Sequence, residues 1–173
     1  MNGPERGVKR VVTGVLVKQL THKVLHRNMK MEPFLTRAVR AGEVHELVTT
    51  VKKDGGDYQP GDCVPHVGFL GFVEITRAGI IEQGDVVWAG SQRLGIVQGF
   101  DACHFVGFHN HYNIILARPE GLATGSELEL AIEDEIHFVA GSSTDDRQRS
   151  AASVAGVQAP QSVAVSCQES NSR

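Results

Sequence analysis

HVGFLGFVEI, at residues 66–75, sets the fold class that the sequence predicts. The run is rich in β-branched and aromatic residues, which favour strands, and the turn residues PGD at 60–62 come shortly before it. Gly68 and Gly71 lie inside the run, and Gly95 and Gly99 lie inside a later strand-like run; glycine at such positions indicates a bend or a bulge. Such bends let a small sheet turn its corners, so the run predicts one strand of a closed β-structure.

Similar runs lie on both sides of this one. VVTGVLVKQ (11–19) and EVHELVTTVKK (43–53) alternate apolar with polar positions, which is the period of a half-buried strand. Shorter runs, separated by glycine, proline and aspartate, occupy residues 84–90, 94–100, 111–117, 127–132 and 135–140. Because short turns favour antiparallel neighbours, these seven or eight strands predict a small, mainly antiparallel β-barrel or sandwich.

One segment has the features of a helix instead. In EPFLTRAVRAG (32–42), Pro33 stands at a suitable first helical position and Gly42 stands where a helix would stop. The apolar residues that would share one helical face are Phe34, Leu35, Ala38 and Val39. We expect a single short helix here.

The composition predicts three regions. The chain has 173 residues, of which 41% are hydrophobic and 21% charged, as in ordinary globular proteins. We expect a flexible N-terminus over residues 1–10 and a single β-barrel domain over 11–140. Residues 141–173 contain eight serines, four glutamines and no aromatic residue, so they cannot bury enough apolar surface to offset their ordering entropy. We expect a disordered tail there.

Charge and cysteine content restrict the compartment and the partners. The formal net charge of −3 favours neither nucleic acid nor an anionic membrane, and no apolar run approaches the roughly 20 residues that span a bilayer. Three cysteines without a CxxC pair predict neither a disulfide framework nor a four-cysteine zinc site. We therefore expect a cytoplasmic protein, and the small, glycine-rich chain is typical of a bacterial one.

The charges are nevertheless divided along the chain. Residues 1–53 carry eleven Lys and Arg against four Asp and Glu, whereas residues 54–140 carry three against thirteen. Either the two parts neutralise each other in the fold, or they leave two oppositely charged surfaces. In the second case the surfaces would orient a charged ligand or join copies of the chain into a homo-oligomer.

A cluster of histidines is the strongest chemical signal. His104, His109 and His111 lie within GFDACHFVGFHNHYNI at residues 99–114. On a strand, the HxH spacing points His109 and His111 to the same face, and paired imidazoles suit a divalent transition metal such as Zn or Fe. We predict these two residues as metal ligands.

The same segment also allows chemistry without a metal. A histidine with an ordinary pKa of about 6.5 exchanges protons near neutral pH, so His104 and His111 are candidate catalytic residues, with Asp101 completing the proton relay. Tyr112, Asn113 and Phe105 are candidate substrate-binding residues. In a purely structural alternative, the histidines occupy turns and bond to backbone carbonyl groups.

Several enzyme classes lack their usual motifs. The chain contains no GxGxxG before a helix, no GxxxxGK[ST], no HExxH and no GxSxG. The leading hypothesis is a β-barrel enzyme that performs lyase, isomerase or cyclase proton transfer on a small organic molecule, with or without a metal acting as Lewis acid. The alternative is a non-catalytic barrel that binds a small molecule or a protein.

Overall fold

A computed structural model describes residues 7–52, 56–101 and 112–141. Within these ranges the chain forms twelve β-strands and no helix, so the prediction of a mainly β fold is confirmed. The strands are β1 (Val12–Gln19), β2 (Lys23–Val24), β3 (Met29–Lys30), β4 (Thr36–Val39), β5 (Val44–Thr50), β6 (Cys63–Val64), β7 (Val67–Arg77), β8 (Gly79–Glu82), β9 (Val86–Ala89), β10 (Gln92–Phe100), β11 (Tyr112–Ala117) and β12 (Glu135–Val139).

Seven of these strands form a ring of hydrogen-bonded neighbours. The order is β1, β12, β9, β10, β11, β5 and β7, and β7 pairs again with β1. All of these pairs are antiparallel except β5 with β11, which are parallel. The short strands form two small sheets, β3 with β6 and β4 with β8, while β2 pairs with β7.

The ring encloses the main apolar core. Every one of its seven strands contributes buried side chains to one cluster, among them Leu16, Leu47, Val73 and Phe138. A second cluster joins β5, β7 and β11 to the short strands β3 and β6, and it includes Met29, Val64 and Ile115. Neighbouring residues of β11 therefore face different cores, because side chains alternate across a strand.

Bulges occur next to glycines at which the sequence predicts a bend or a bulge. The strand register shifts beside Gly71, Gly95 and Gly99. At Gly71 a Cβ atom would lie 2.2 Å from the carbonyl oxygen of Lys18, so only glycine allows β1 and β7 to approach this closely. The bends predicted at Gly71, Gly95 and Gly99 are confirmed, whereas no register shift lies beside Gly68.

The predicted helix at 32–42 is wrong. Residues Thr36–Val39 form β4, and β8 supplies its antiparallel partner with Arg37 opposite Ile81. The residues predicted to share one apolar face are not buried together, since Val39 is buried while the Phe34 side chain is 68% exposed. A helix this short is marginal without packing, and pairing with β8 satisfies the backbone instead. Gly42 does mark a stop, but as a turn residue with a φ of 86°.

The predicted strand at 127–132 is also wrong. Thr124 and Glu127 bond reciprocally: the Thr124 N–H donates to the Glu127 carboxylate at 2.9 Å, and the Glu127 N–H donates to the Thr124 hydroxyl at 3.2 Å. This arrangement resembles the capping box that opens a helical turn. Glu129 and Glu133 have φ values of 53° and 73°, which do not fit a strand, so the segment forms consecutive turns.

Cys63 is the one cysteine within the described residues. It lies in β6 and is disulfide-bonded. The other two cysteines, Cys103 and Cys167, lie outside the described residues. The sequence predicts no disulfide framework, and the cysteine pattern did not indicate this single disulfide at Cys63.

Ion pairs join the basic first part of the chain to the acidic second part. Lys9 bonds to the buried carboxylate of Asp85 and lies 3.4 Å from Glu82. Lys23 approaches Glu127 to 2.7 Å. The two parts of the chain neutralise each other at these points.

The chain divides into two units, Met1–Ala140 and Gly141–Arg173, and all twelve strands belong to the first. Residues 142–173 lie outside the described ranges, as do residues 1–6, so the flexible N-terminus and the disordered tail stay predictions. The described ranges contain no helix of the length and apolarity that crossing a membrane requires.

Candidate functional site

Polar side chains gather where β5 and β11 begin and β10 ends. Parallel pairing aligns the first residues of β11 with those of β5, so Tyr112 lies beside His45 and Asn113 beside Glu46. Asp101 directly follows β10, and its backbone N–H donates to the Asn113 carbonyl at 3.2 Å. We call this region the polar end. It comprises Glu32, Arg37, Glu43, His45, Glu46, Asp101, Tyr112 and Asn113.

Arg37 lies on the side of the polar end that faces the main core. Its Cζ atom is 4.0 Å from the ring centroid of Tyr112 and 4.4 Å from that of Phe100. Contacts this close are cation–π interactions, and the rings hold the guanidinium plane in place. The Arg37 side chain is only 12% exposed. Its position is therefore set by packing and not by solvent.

The hydrogen bonds of Arg37 are incomplete. Nη2 donates to the Glu32 carboxylate at 2.6 Å. Nη1 is buried and has no hydrogen-bond partner in the part of the chain that the structure describes. A buried donor without a partner costs about 1–3 kcal/mol, so native proteins rarely keep one without a role. Nη1 is consequently available to an anionic ligand.

A histidine and a glutamate form a pair beside Tyr112. The Nε2 atom of His45 lies 3.1 Å from the Glu43 carboxylate, and the His45 ring stacks on the Tyr112 ring with centroids 6.1 Å apart. Burial opposes ionisation of Glu43, but hydrogen bonds from the Arg40 backbone and from His45 outweigh it and lower the pKa of Glu43. Glu43 is thus an anion that holds the buried imidazole as an Nε2–H donor.

The opposite side of the polar end carries a second polar group. Asn113 Nδ2 donates to Asp101 Oδ2 at 3.2 Å, and the Lys30 N–H donates to Asp101 Oδ1 at 3.3 Å. The side chains of Asp101, Asn113 and Glu46 are all buried. The Asn113 Oδ1 atom has no hydrogen-bond partner among the described residues. This side therefore offers a buried acceptor next to two carboxyl groups.

The described part of the chain matches one protein family. Residues 6–139 match the family model described as "Family of unknown function (DUF6917)". The chain belongs to DUF6917. No curated protein and no solved structure matches it. The matched range of this DUF6917 chain includes the ring and the polar end, so a function is inferred from their geometry.

The sequence-predicted site residues fall into two groups. Asp101, Tyr112 and Asn113 come together at the polar end of the DUF6917 chain, with Asp101 and Asn113 on one side and Tyr112 on the other. The remaining predicted residues, His104, Phe105, His109 and His111, lie outside the described ranges. Their assigned roles stay predictions.

Sequence reasoning missed Arg37, His45 and Glu43. Arg37 was overlooked because the helix prediction considered only the apolar residues of segment 32–42. His45 did carry a signal, because in EVHELV it takes a position that alternation assigns to the buried face. A polar residue at such a position points to a buried polar site.

The described residues contain no group of three or more His, Cys, Asp or Glu side chains placed to hold a metal ion. The predicted ligands His109 and His111 are not among them. A Zn or Fe site at that pair stays a prediction.

Proposed function

We propose that this DUF6917 protein is an enzyme that transfers a proton on a small organic anion, held at the polar end of a barrel formed by the seven-stranded ring. The reaction would be of the lyase, isomerase or cyclase type. The observation that carries the proposal is the buried Nη1 of Arg37, which has no hydrogen-bond partner among the described residues and belongs to a guanidinium that lies over the Phe100 and Tyr112 rings. The His45–Glu43 pair stacks on the same Tyr112 ring.

Arg37 is the binding residue in this proposal. Guanidinium groups recognise carboxylate and phosphate oxygens through directed N–H donors, and the Phe100 and Tyr112 rings hold this guanidinium in position before a ligand arrives. Pre-organisation reduces the entropy lost on binding. Glu32 already occupies Nη2, so a ligand oxygen would bond to Nη1.

His45 is the acid–base residue. The Glu43 carboxylate accepts a hydrogen bond from the Nε2–H of His45, so the basic lone pair lies on Nδ1. The same carboxylate stabilises the imidazolium that forms when Nδ1 takes a proton. The stacking of His45 on Tyr112 connects this group to the anion-binding residue, because Tyr112 also contacts Arg37. In this proposal, a substrate bound to Arg37 extends past Tyr112 to His45.

Asp101 and Asn113 support the site from the other side of the sheet. Their mutual hydrogen bond fixes the end of β10 to the start of β11, on which Phe100 and Tyr112 stand. The residues between them, 102–111, include the predicted catalytic His104 and His111.

A second candidate function is binding without catalysis. An anion-binding protein needs only Arg37 and its two rings, and the near-complete burial of His45 favours this reading, since a buried imidazole can also be a structural partner of Glu43.

The test separates the two candidates. Small carboxylates, such as 2-oxo and 2-hydroxy acids, would be incubated with the protein in D₂O, and exchange of C–H for C–D would be followed by NMR. We expect exchange with at least one acid, its loss in His45→Gln, and weakened binding in Arg37→Gln. Arg93→Gln, which removes the Arg93–Glu120 ion pair elsewhere on the surface, is the control and should leave both unchanged. Saturable binding without exchange would establish the second candidate, and neither binding nor exchange would refute both.

A further inference from the structure

Two exposed histidines form a pair away from the polar end. His26 follows β2, and His66 lies between β6 and β7. Their ring centroids are 6.0 Å apart and the ring planes make an angle of 68°. In the part of the chain that the structure describes, the aromatic contact of each ring is with the other, and neither histidine belongs to the polar end.

Backbone pairing holds the two histidines together. β2 pairs with β7 through Lys23 with Gly68 and Val24 with Val67. The Arg27 N–H then donates to the Pro65 carbonyl at 2.9 Å. The chain on either side of each histidine is therefore hydrogen-bonded to the chain beside the other, so their separation is a property of the fold.

The tautomer of His66 is also fixed. Its Nδ1 donates to the Leu25 carbonyl oxygen, which leaves the lone pair on Nε2. Metal-binding histidines commonly donate their second ring nitrogen to a carbonyl or carboxylate in this way, because the bond orients the ring and makes the ligating nitrogen more basic.

We propose that His26 and His66 bind one divalent transition-metal ion through a ring nitrogen each, with water in the remaining positions. Metal–nitrogen bonds of about 2.0–2.1 Å put the centroids of two imidazoles on one ion roughly 5–6 Å apart, close to the separation observed here. Two neutral nitrogen ligands select Cu²⁺ above Ni²⁺ and Zn²⁺ and do not bind Mg²⁺ or Ca²⁺. This site is independent of the proposed enzyme activity and of the predicted His109–His111 pair.

Titration of the metal-free, untagged full chain with Cu²⁺, observed by residue-resolved NMR, tests the proposal. The paramagnetic ion should first broaden the signals of residues 24–27 and 65–68. Its dissociation constant should rise at least tenfold in His26→Gln and in His66→Gln. His137→Gln is the matched control, since His137 pairs with Glu135 on β12, and it should leave the affinity unchanged.

Two results would overturn the proposal. One is an unchanged Cu²⁺ affinity in both variants, with their amide spectra showing that they fold as the wild type does. The other is broadening confined to other residues, such as Tyr112 and Asp101, which would move the metal to the histidine segment between them. Both variants replace exposed side chains, so the fold should tolerate them.

Discussion

Replacing Arg37 tests the anion-binding role of its guanidinium. Arg37→Lys keeps the positive charge but removes the planar arrangement of donors and with it the Nη1 group. A hydrogen bond between charged groups contributes about 1.5–3 kcal/mol, so the dissociation constant of a small carboxylate should rise about 10- to 150-fold. Isothermal titration calorimetry of both proteins measures this change.

The same residue also contributes to stability. Arg37→Gln removes two cation–π contacts and leaves Glu32, whose side chain is only 14% exposed, without its cation. These losses should lower the free energy of unfolding by about 2–4 kcal/mol. The double variant Arg37→Gln/Glu32→Gln should recover part of that loss, because the buried charge is gone. Urea denaturation provides both values.

Carboxylate binding by Arg37→Lys that is as tight as wild-type binding would refute the anion-binding role of Nη1. A decrease of less than about 0.5 kcal/mol in the free energy of unfolding of Arg37→Gln, the range of an ordinary surface substitution, would refute its contribution to stability. In the first case Nη1 does not contact the ligand. In the second case the guanidinium is not held between the two rings.

Three further predictions concern the fold. Gly71→Ala should cost at least about 2 kcal/mol in urea denaturation, since its Cβ would overlap the facing backbone, whereas Gly7→Ala, which meets open space, should change nothing; equal stability of the two variants would contradict the close approach. Burial raises the pKa of Asp85, although Lys9 partly offsets this effect. The folded protein therefore binds this proton more tightly than the unfolded chain, so the stability of the wild type relative to Asp85→Asn should increase as the pH falls from about 6 to about 3; a decrease would show that the pKa is lowered. Reduction by a thiol should lower the melting temperature, because the Cys63 disulfide restricts the unfolded chain, and an unchanged melting temperature in the fully reduced protein would contradict that contribution.

Local signals predicted the parts of the fold that depend on local chemistry. The strand at β7 follows from its β-branched and aromatic residues, and the bulge at Gly71 follows from glycine within a strand pattern. The predictions of secondary structure were wrong where contacts between distant parts of the chain determine the conformation. Residues 36–39 form a strand because β8 pairs with them, and the turn at 127–132 depends on the reciprocal bonds of Thr124 and Glu127.

The site shows the same division. The sequence singled out Tyr112 and Asn113 because they directly follow the His109–His111 pair on the same predicted strand. Arg37 reaches the polar end from β4, and only the folded chain shows that its guanidinium lies against the rings of Phe100 and Tyr112. No spacing in the sequence encodes a contact of this kind, since it depends on how β4 packs across the end of the ring.

The Arg37 side-chain signal gives the most direct test of the central claim. The Nε–Hε resonances of the arginines would be recorded by NMR while acetate, a 2-oxo acid, a 2-hydroxy acid or inorganic phosphate is added, with Arg37→Lys identifying the signal. We expect at least one of these anions to shift the Arg37 resonance saturably, while the Arg93 resonance stays in place. An Arg37 resonance that none of the anions moves would contradict the anion-binding role of Arg37.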